Sequence, residues 1–306
     1  MNYFLIFIIF FIFSYLILYY SIGFLKRFFS DVPNKRSSHK FTKPKSGGYI
    51  FVFNSIISSF LFFDFSLLLS LPLGVIGLID DKFNLPVKIR LIFQILTTSL
   101  ILKIINVPLY MGLLPNFFLI PLLILLGASI INFSNFMDGI DGLVAGCYLI
   151  IFLMGSILID NIFILIASSL LAFLFFNWDP SKLFMGDLGS TFLGSIFFTL
   201  LLKCDKFEDF FAFLLISSPL MIDALICVIR RILKGKTFYK PHRDHLYQRL
   251  CDNNISHGFI SFLYILSTSL ISLSYLFFGI NFCIFLTLLI IFLGIILDNK
   301  FALKFN

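Results

Sequence analysis

The chain has 306 residues, of which 59% are hydrophobic and only 13% are charged, and its formal net charge is +7. A soluble globular protein of this length could not bury so much apolar surface, so the composition excludes that class and predicts a polytopic membrane protein. Membrane topology and attraction to anionic lipid explain the positive charge, which therefore does not indicate nucleic-acid binding.

Apolar runs of helical length follow one another along the whole chain. A helix needs about 20 apolar residues to cross a hydrocarbon core. The runs predict about eleven spans, at 3–25, 48–63, 65–79, 89–106, 117–134, 143–159, 161–176, 189–203, 210–229, 258–278 and 281–297. The first run lacks a preceding basic residue and a cleavage site, so we interpret it as a retained span and not as a signal peptide. The expected fold is an all-α membrane protein with one domain, residues 1–306.

The distribution of basic residues predicts the sidedness of these spans. With eleven spans, the loops after odd-numbered spans share one face and hold 20 of the 23 Lys and Arg residues. The positive-inside rule makes that face cytoplasmic, with the N-terminus outside and the C-terminus inside. The stretch from Gly47 to Ile79 could also form one long span, but this alternative would place two basic loops on opposite faces.

Six aspartates lie on the same predicted cytoplasmic face, near the edges of apolar runs: Asp80, Asp81, Asp138, Asp141, Asp187 and Asp244. A carboxylate beside hydrocarbon is costly unless a metal, a cation or a substrate uses it. We therefore predict one composite active site, formed by the loops at 26–47, 80–90, 132–143, 177–190 and 230–257. Acidic clusters of this kind suit a divalent cation that carries phosphates.

Asp80 and Asp81 are expected to begin a short loop that continues to Lys88 and Arg90. Adjacent carboxylates raise each other's proton affinity, so the pair suits metal binding or acceptance of a proton from an attacking group. The alternative is a solvated helix C-terminus, but acidic side chains there oppose the helix dipole. Lys88 is a candidate contact to the substrate.

A second motif places Asn132, Asn135, Asp138 and Asp141 at three-residue spacing, which gives a slowly rotating stripe on a helix. Interleaved glycines allow the backbone to approach a ligand closely. The alternative is an ordinary turn rich in Asn, Asp and Gly.

Asp187 lies in the motif GDLGS, directly before an apolar helix. Free backbone N–H groups at a helix N-terminus attract anions, and Asp187 could hold the metal that bridges them. An ordinary N-cap explains this short motif equally well.

The last polar loop contains His242, Arg243 and His245, for which phosphate contact is the favoured interpretation. A basic loop attracted to anionic lipid is the competing one. A zinc site would need a further ligand, and the five cysteines, scattered without CxxC spacing, are interpreted as buried small residues. Asp223 lies inside a predicted span, where pairing with Arg230 is as plausible as catalysis.

Together these motifs resemble the polyprenyl-phosphate N-acetylhexosamine-1-phosphate transferase superfamily. The resemblance is carried, in the family's order, by DVPNKRSSH (31–39) followed by KPKSGG, GLIDD (77–81), NFSNFMDGIDGL (132–143), FMGDLGS (184–190) and PHRDHLYQRL (241–250). It implies transfer of a sugar-1-phosphate from a UDP-amino-sugar to undecaprenyl phosphate, with release of UMP, at the cytoplasmic face of the bacterial inner membrane. It also implies Mg²⁺ as cofactor, which Mn²⁺ could replace, and is compatible with a homodimer.

The resemblance also implies roles for individual residues. Asp80 and Asp81 match the acidic pair that activates the lipid phosphate or binds metal, and Asp187, assisted by Asn135, matches the metal site. Asn135, Asp138 and Asp141 match the motif that lines the nucleotide-sugar and metal site, and His242 and His245 match the histidine-bearing last cytoplasmic loop. Asn132, from the same stripe, is a further candidate substrate contact.

Two alternatives to this function stay open. The peptidoglycan branch of the superfamily, phospho-N-acetylmuramoyl-pentapeptide transferase, carries consecutive histidines where this chain has HRDHLYQRL, which favours initiation of O-antigen, capsule or similar glycans. A transporter or lipid-carrier flippase would need ionisable groups near the bilayer midplane, and only Asp223 is a candidate.

Overall fold

The computed structural model describes residues 2–33, 41–105, 116–237 and 242–305. Parts of the predicted site loops 26–47 and 230–257 lie outside these residues. Within them the chain forms α1 (Tyr3–Phe28), β1 (Ser30–Asp31), β2 (Lys43–Pro44), α2 (Tyr49–Phe62), α3 (Leu71–Phe83), α4 (Val87–Ile104), α5 (Asn116–Met137), α6 (Leu143–Leu158), α7 (Ile164–Asn177), α8 (Gly186–Leu202), α9 (Phe207–Ile216), α10 (Ser218–Leu233), α11 (Leu246–Asp252) and α12 (His257–Phe301). Short 3-10 turns at Ser66–Ser70 and Asn161–Phe163 precede α3 and α7.

The fold is all-α and has the character of a membrane protein, as predicted. Among the described residues, α1, the Phe117–Met137 part of α5 and α12 are long and apolar enough to cross a membrane, and the pair α9–α10 adds a fourth crossing if it forms one span. The shorter apolar helices include α2, α6 and α8. The number of eleven spans and the orientation of the termini stay predictions.

Residues 47–79 form two helical elements, which agrees with the two predicted runs and not with the alternative of one long helix. Helix α2 ends at Phe62, Phe63 adopts the left-handed conformation, and a 3-10 turn leads into α3. The predicted span 210–229 is divided between two helices, because α9 and α10 are bent by 70° at Ser217. Pro219 at the start of α10 lacks an N–H group and so cannot continue the hydrogen-bond ladder of α9.

The long helix α12 reverses direction at Gly279. This residue has φ 77° and ψ −174°, a conformation that only glycine adopts without strain. Cys283 Sγ then lies 3.9 Å from the carbonyl oxygen of Ile271, twelve residues earlier, a distance that a continuous helix could not give. The two arms correspond to the predicted spans 258–278 and 281–297.

Helix α8 lies at the centre of the bundle, with every residue from Leu188 to Leu202 buried. Neighbouring helices approach it closely at glycines. A Cβ atom on Gly77 of α3 would lie 2.5 Å from Leu188 Cα, and one on Gly194 would lie 2.8 Å from Ile131 Cα of α5. This packing fixes the start of α8 between the ends of α3 and α5.

Different polar groups lie at the two ends of the bundle. At one end, Lys203 pairs with Asp160 (2.8 Å) and with Asp64, so the turns after the predicted spans 2, 6 and 8 meet. At the other end, the acidic segments that follow odd-numbered spans meet. The acidic segments and the ion pairs of Lys203 therefore lie at opposite ends of α8.

Candidate active site

Three acidic segments that are far apart in the sequence converge at one end of the bundle. Asp81 lies in the last turn of α3, Asp187 in the first turn of α8, and Asp138 in the turn between α5 and α6. They border a polar cavity of about 280 Å³, which is lined by Asp31, Lys45, Asp81, Asn135, Asp138, Gly139, Ile140, Asp141, Asn177, Phe184, Gly186, Asp187, Gln248 and His257.

Asp81 is fixed by the N-terminal backbone of α8. Its carboxylate accepts hydrogen bonds from Asp187 N (2.9 Å) and from Ser46 Oγ (2.6 Å), and Lys45 Nζ lies 3.9 Å away. Gly186 makes this approach possible, since it has φ +73° and a Cβ atom there would overlap the Asp81 carboxylate. Asp81 is thus almost fully buried, whereas the Asp187 side chain is 34% exposed and faces the cavity.

Asp80 binds a cation that the sequence analysis did not select. Its carboxylate accepts from Leu85 N (2.6 Å) and from Arg90 Nη1 (3.2 Å), and the same Arg90 atom lies 3.7 Å from Asp187 Oδ2. Arg90 therefore links the two carboxylates. Lys88, the predicted substrate contact, is exposed in the first turn of α4 and does not line the cavity.

The Asn/Asp motif divides into two parts. Asn135 Nδ2 donates to Asp187 Oδ1 (2.6 Å) and to Ser190 Oγ (3.0 Å), and Asp138 lines the cavity. Asn132 instead exchanges hydrogen bonds with Gln94 of α4, at 2.7 and 3.2 Å. Three residues fall short of one helical turn, so the stripe rotates away from the cavity at its N-terminal end.

Asp141 forms the opposite wall of the cavity. It accepts from Ser181 N (3.0 Å) and Ser181 Oγ (2.8 Å), and Lys43 Nζ and His257 Nδ1 lie at 3.6 and 3.8 Å. Burial opposes ionisation of Asp141, but the hydrogen bonds from His257 and Ser181 and the charge of Lys43 prevail and lower its pKa to about 2. Asp141 is therefore a fixed negative charge that holds His257 at the cavity.

The polar loop contributes other residues than those predicted. His245 is 2% exposed, Arg243 Nη2 lies 2.7 Å from Asp252 Oδ1, and neither side chain nor that of His242 lines the cavity. Gln248 and His257 line it instead. The phosphate-binding role predicted for His242, Arg243 and His245 stays a prediction.

Helix α11 is anchored to the bundle through its first two residues, Leu246 and Tyr247. Asp223 accepts hydrogen bonds from Leu246 N (2.8 Å), Tyr247 N (3.2 Å) and Tyr264 Oη (2.7 Å), and Tyr247 Oη donates to the carbonyl of Phe136 (2.9 Å). Asp223 thus caps a helix and does not pair with Arg230, the partner considered from the sequence. Arg230 binds Asp298. Asp244 also lies away from the cavity, paired with Arg231.

Several site residues were missed by sequence reasoning. Four of them line the cavity, namely Asp31, Lys45, Gln248 and His257, and Arg90 links Asp80 to Asp187 beside it. Lys45 and Arg90 lie in predicted basic loops, where the positive-inside rule already explains the basic residues. The sequence therefore did not distinguish these two from the other Lys and Arg residues of the same loops. Gln248 and His257 lie in the polar loop 230–257 that was predicted to form part of the site, but His242, Arg243 and His245 were the residues predicted from it.

The donor atoms at the cavity fit Mg²⁺. Withdrawal from solvent and the nearby carboxylates of Asp187, Asp81 and Asp141 raise the pKa of Asp138 well above its ordinary value. Carboxylates that repel one another in this way gain from a divalent cation placed between them. Mg²⁺ prefers hard oxygen ligands and is held in many enzymes by one or two carboxylates together with substrate phosphates.

The helical membrane fold and its carboxylate-lined cavity define a membrane-embedded enzyme. Comparison with known proteins shows which family it is similar to. The family model described as "Glycosyl transferase family 4" matches residues 64–205. A probable undecaprenyl-phosphate N-acetylglucosaminyl 1-phosphate transferase of Bacillus subtilis is 31% identical over 254 residues, which cover 74% of this chain and 71% of the relative.

Two further relatives show how broad the similarity is. The undecaprenyl-phosphate alpha-N-acetylglucosaminyl 1-phosphate transferase of Thermotoga maritima is 28% identical over 72% of this chain and 73% of its own length. The phospho-N-acetylmuramoyl-pentapeptide-transferase of Staphylococcus saprophyticus is 31% identical over 66% of this chain and 75% of its own length. The chain belongs to the polyprenyl-phosphate hexosamine-1-phosphate transferase superfamily, as the motifs indicated.

Proposed function

We propose that this enzyme transfers an N-acetylhexosamine-1-phosphate from a UDP-sugar to undecaprenyl phosphate, releases UMP, and so initiates a lipid-linked surface glycan. The observation that carries the proposal is the cavity at which Asp81, Asp138 and Asp187 converge from three separate segments. The relatives named for undecaprenyl phosphate and N-acetylglucosamine support the choice of substrates and make GlcNAc the first sugar to test.

Residues of the cavity and the neighbouring pair Asp80–Arg90 have distinct roles in this reaction. Asp187, with the side-chain amide of Asn135, would hold Mg²⁺, which when bound neutralises charge on the diphosphate. Lys45 and His257 line the cavity and contact the phosphates of the UDP-sugar. Asp80 positions Arg90, which lies between Asp80 and Asp187 and stabilises negative charge that develops on the transferred phosphate.

The chemical step is a phosphoryl transfer. A phosphate oxygen of undecaprenyl phosphate attacks the β-phosphorus of the UDP-sugar, the bond from that phosphorus to the bridging oxygen breaks, and UMP leaves with the bridging oxygen. Asp81 would help to hold the cation. The site faces the cytoplasm, a proposal supported by the concentration of basic residues in the loops around it.

The test is an assay with purified protein in detergent, undecaprenyl phosphate and separate UDP-GlcNAc, UDP-GalNAc and UDP-MurNAc-pentapeptide. We expect release of UMP and formation of a lipid-diphosphate-sugar with an N-acetylhexosamine donor, and loss of both when Mg²⁺ is removed by chelation. Product from UDP-MurNAc-pentapeptide alone would identify the peptidoglycan enzyme instead, which the relative from Staphylococcus saprophyticus makes the second candidate. Absence of product from every donor would contradict the proposal.

A further inference from the structure

A second cluster of potential metal ligands lies outside the polar cavity, where the loop of residues 242–245 packs against α10. One ring nitrogen of His242, one of His245 and Cys227 Sγ all lie within 4.8 Å of one another. Cys227 and His245 are each 2% exposed, and His242 is half-buried. The three residues do not line the cavity.

The arrangement has a feature that a simple hydrophobic contact would not need. His245 Nδ1 is buried and has no hydrogen-bond partner among the described residues, a costly situation for an imidazole nitrogen.

We propose that Cys227, His242 and His245 bind one Zn²⁺ ion. Mixed nitrogen and sulfur ligands select zinc over the hard cations that suit the carboxylate cavity. The ion joins α10 to the loop that leads into α11. It thereby fixes the helix whose Gln248 lines the cavity and whose Tyr247 binds Phe136, so its role is structural.

The site could not be recognised in the sequence. The two histidines lack a third ligand at close spacing, and Cys227, one of five scattered cysteines, lies inside an apolar run. Only the packing of α10 against the loop brings the thiol to the imidazoles.

The test measures metal content and does not depend on enzyme activity. Protein carrying a tag free of histidine is purified in detergent without chelators, and zinc is determined by mass spectrometry. We expect about one zinc ion per chain in the wild type. Cys227→Ser and His245→Gln should each lower the content at least tenfold. Cys283→Ser, which alters another buried cysteine, should retain the wild-type content.

Cobalt gives a second measurement that does not rely on the variants folding. After removal of bound metal, titration of the wild type with Co²⁺ should produce a near-ultraviolet thiolate-to-cobalt band. Background zinc in the wild type together with no such band would overturn the proposal. Equal zinc content in Cys227→Ser and Cys283→Ser would do the same. Failure of the Mg²⁺-dependent transfer assay would leave this proposal standing, because the two sites share no residue.

Discussion

The side-chain amide of Asn135 donates a 2.6 Å hydrogen bond to Asp187 Oδ1 and thereby joins the end of α5 to the start of α8. The amide nitrogen also donates to Ser190 Oγ. Because the nitrogen is committed to these partners, the carbonyl oxygen of Asn135 is the atom that can serve a cation beside Asp187.

Asp187→Ala should reduce sugar-phosphate transfer by more than about a hundredfold, since a carboxylate that holds a catalytic cation contributes several kcal/mol to stabilising the transition state. Asp205→Ala, at an exposed site beside the opposite end of α8, is the control and should leave transfer unchanged. Melting temperature in detergent checks that both variants fold. Normal turnover of Asp187→Ala at low Mg²⁺ would remove Asp187 from the cation site.

Arg90→Ala and Lys88→Ala distinguish the cation found in the structure from the one predicted from the sequence. A charge-assisted hydrogen bond contributes about 1.5–3 kcal/mol, so Arg90→Ala should lower kcat/KM by about 10–100-fold. Lys88 is exposed and does not line the cavity, so its replacement should have little effect. Steady-state kinetics with varied UDP-sugar measures both, and a larger loss for Lys88→Ala would show that the sequence interpretation was the better one.

The requirement for Mg²⁺ should depend on pH. Asp80 and Asp81 lie beyond the predicted span 65–79, and burial together with the nearby Asp187 carboxylate raises their pKa to about 6 and about 7. These groups are protonated below those values and charged above them, so a cation binds more tightly as pH rises. If Asp81 helps to hold Mg²⁺, the apparent KM for Mg²⁺ should increase about tenfold when the pH is lowered from 8 to 6. A flat profile, equal to that of Asp81→Asn, would contradict this.

Gly186→Ala tests the close approach of α8 to Asp81. Alanine at φ +73° is strained by about 1 kcal/mol, and its Cβ atom would also overlap the Asp81 carboxylate. Gly235→Ala is the matched control, because Gly235 has φ +67° but nothing within 4 Å of the added atom. We expect both variants to lose some thermal stability and only Gly186→Ala to lose transfer activity. Equal activities would mean that the position of Asp81 is not critical.

Accessibility labelling tests the orientation in the membrane. Single cysteines at Lys88 and Lys182 should resist an impermeant thiol reagent in intact cells, and one at Lys206 should react. All three positions are exposed in the structure, so burial does not account for a difference between them. A Cys251→Ser background removes the most accessible native thiol. Labelling at Lys88 but not at Lys206 would invert the predicted topology.

The sequence alone determined the all-α membrane class, the approximate positions of most helices and the aspartate motifs of the site. These properties depend on apolar run length and on the cost of placing charge beside lipid, both of which are local. It also predicted that Asp81, Asp138 and Asp187 would share one face, because the parity of spans fixes which loops can meet.

Tertiary structure alone decided which polar side chains of the selected motifs reach the cavity. Asn135 faces it and Asn132 turns to Gln94, Arg90 binds Asp80 while Lys88 does not, and His257 replaces His245 at the cavity wall. The bend between α9 and α10 and the proximity of Cys227 to two histidines could likewise not be predicted from the sequence. Such outcomes depend on how the helices rotate and approach one another. Close packing at glycines such as Gly77 and Gly186 determines this arrangement, and a local sequence pattern does not reveal it.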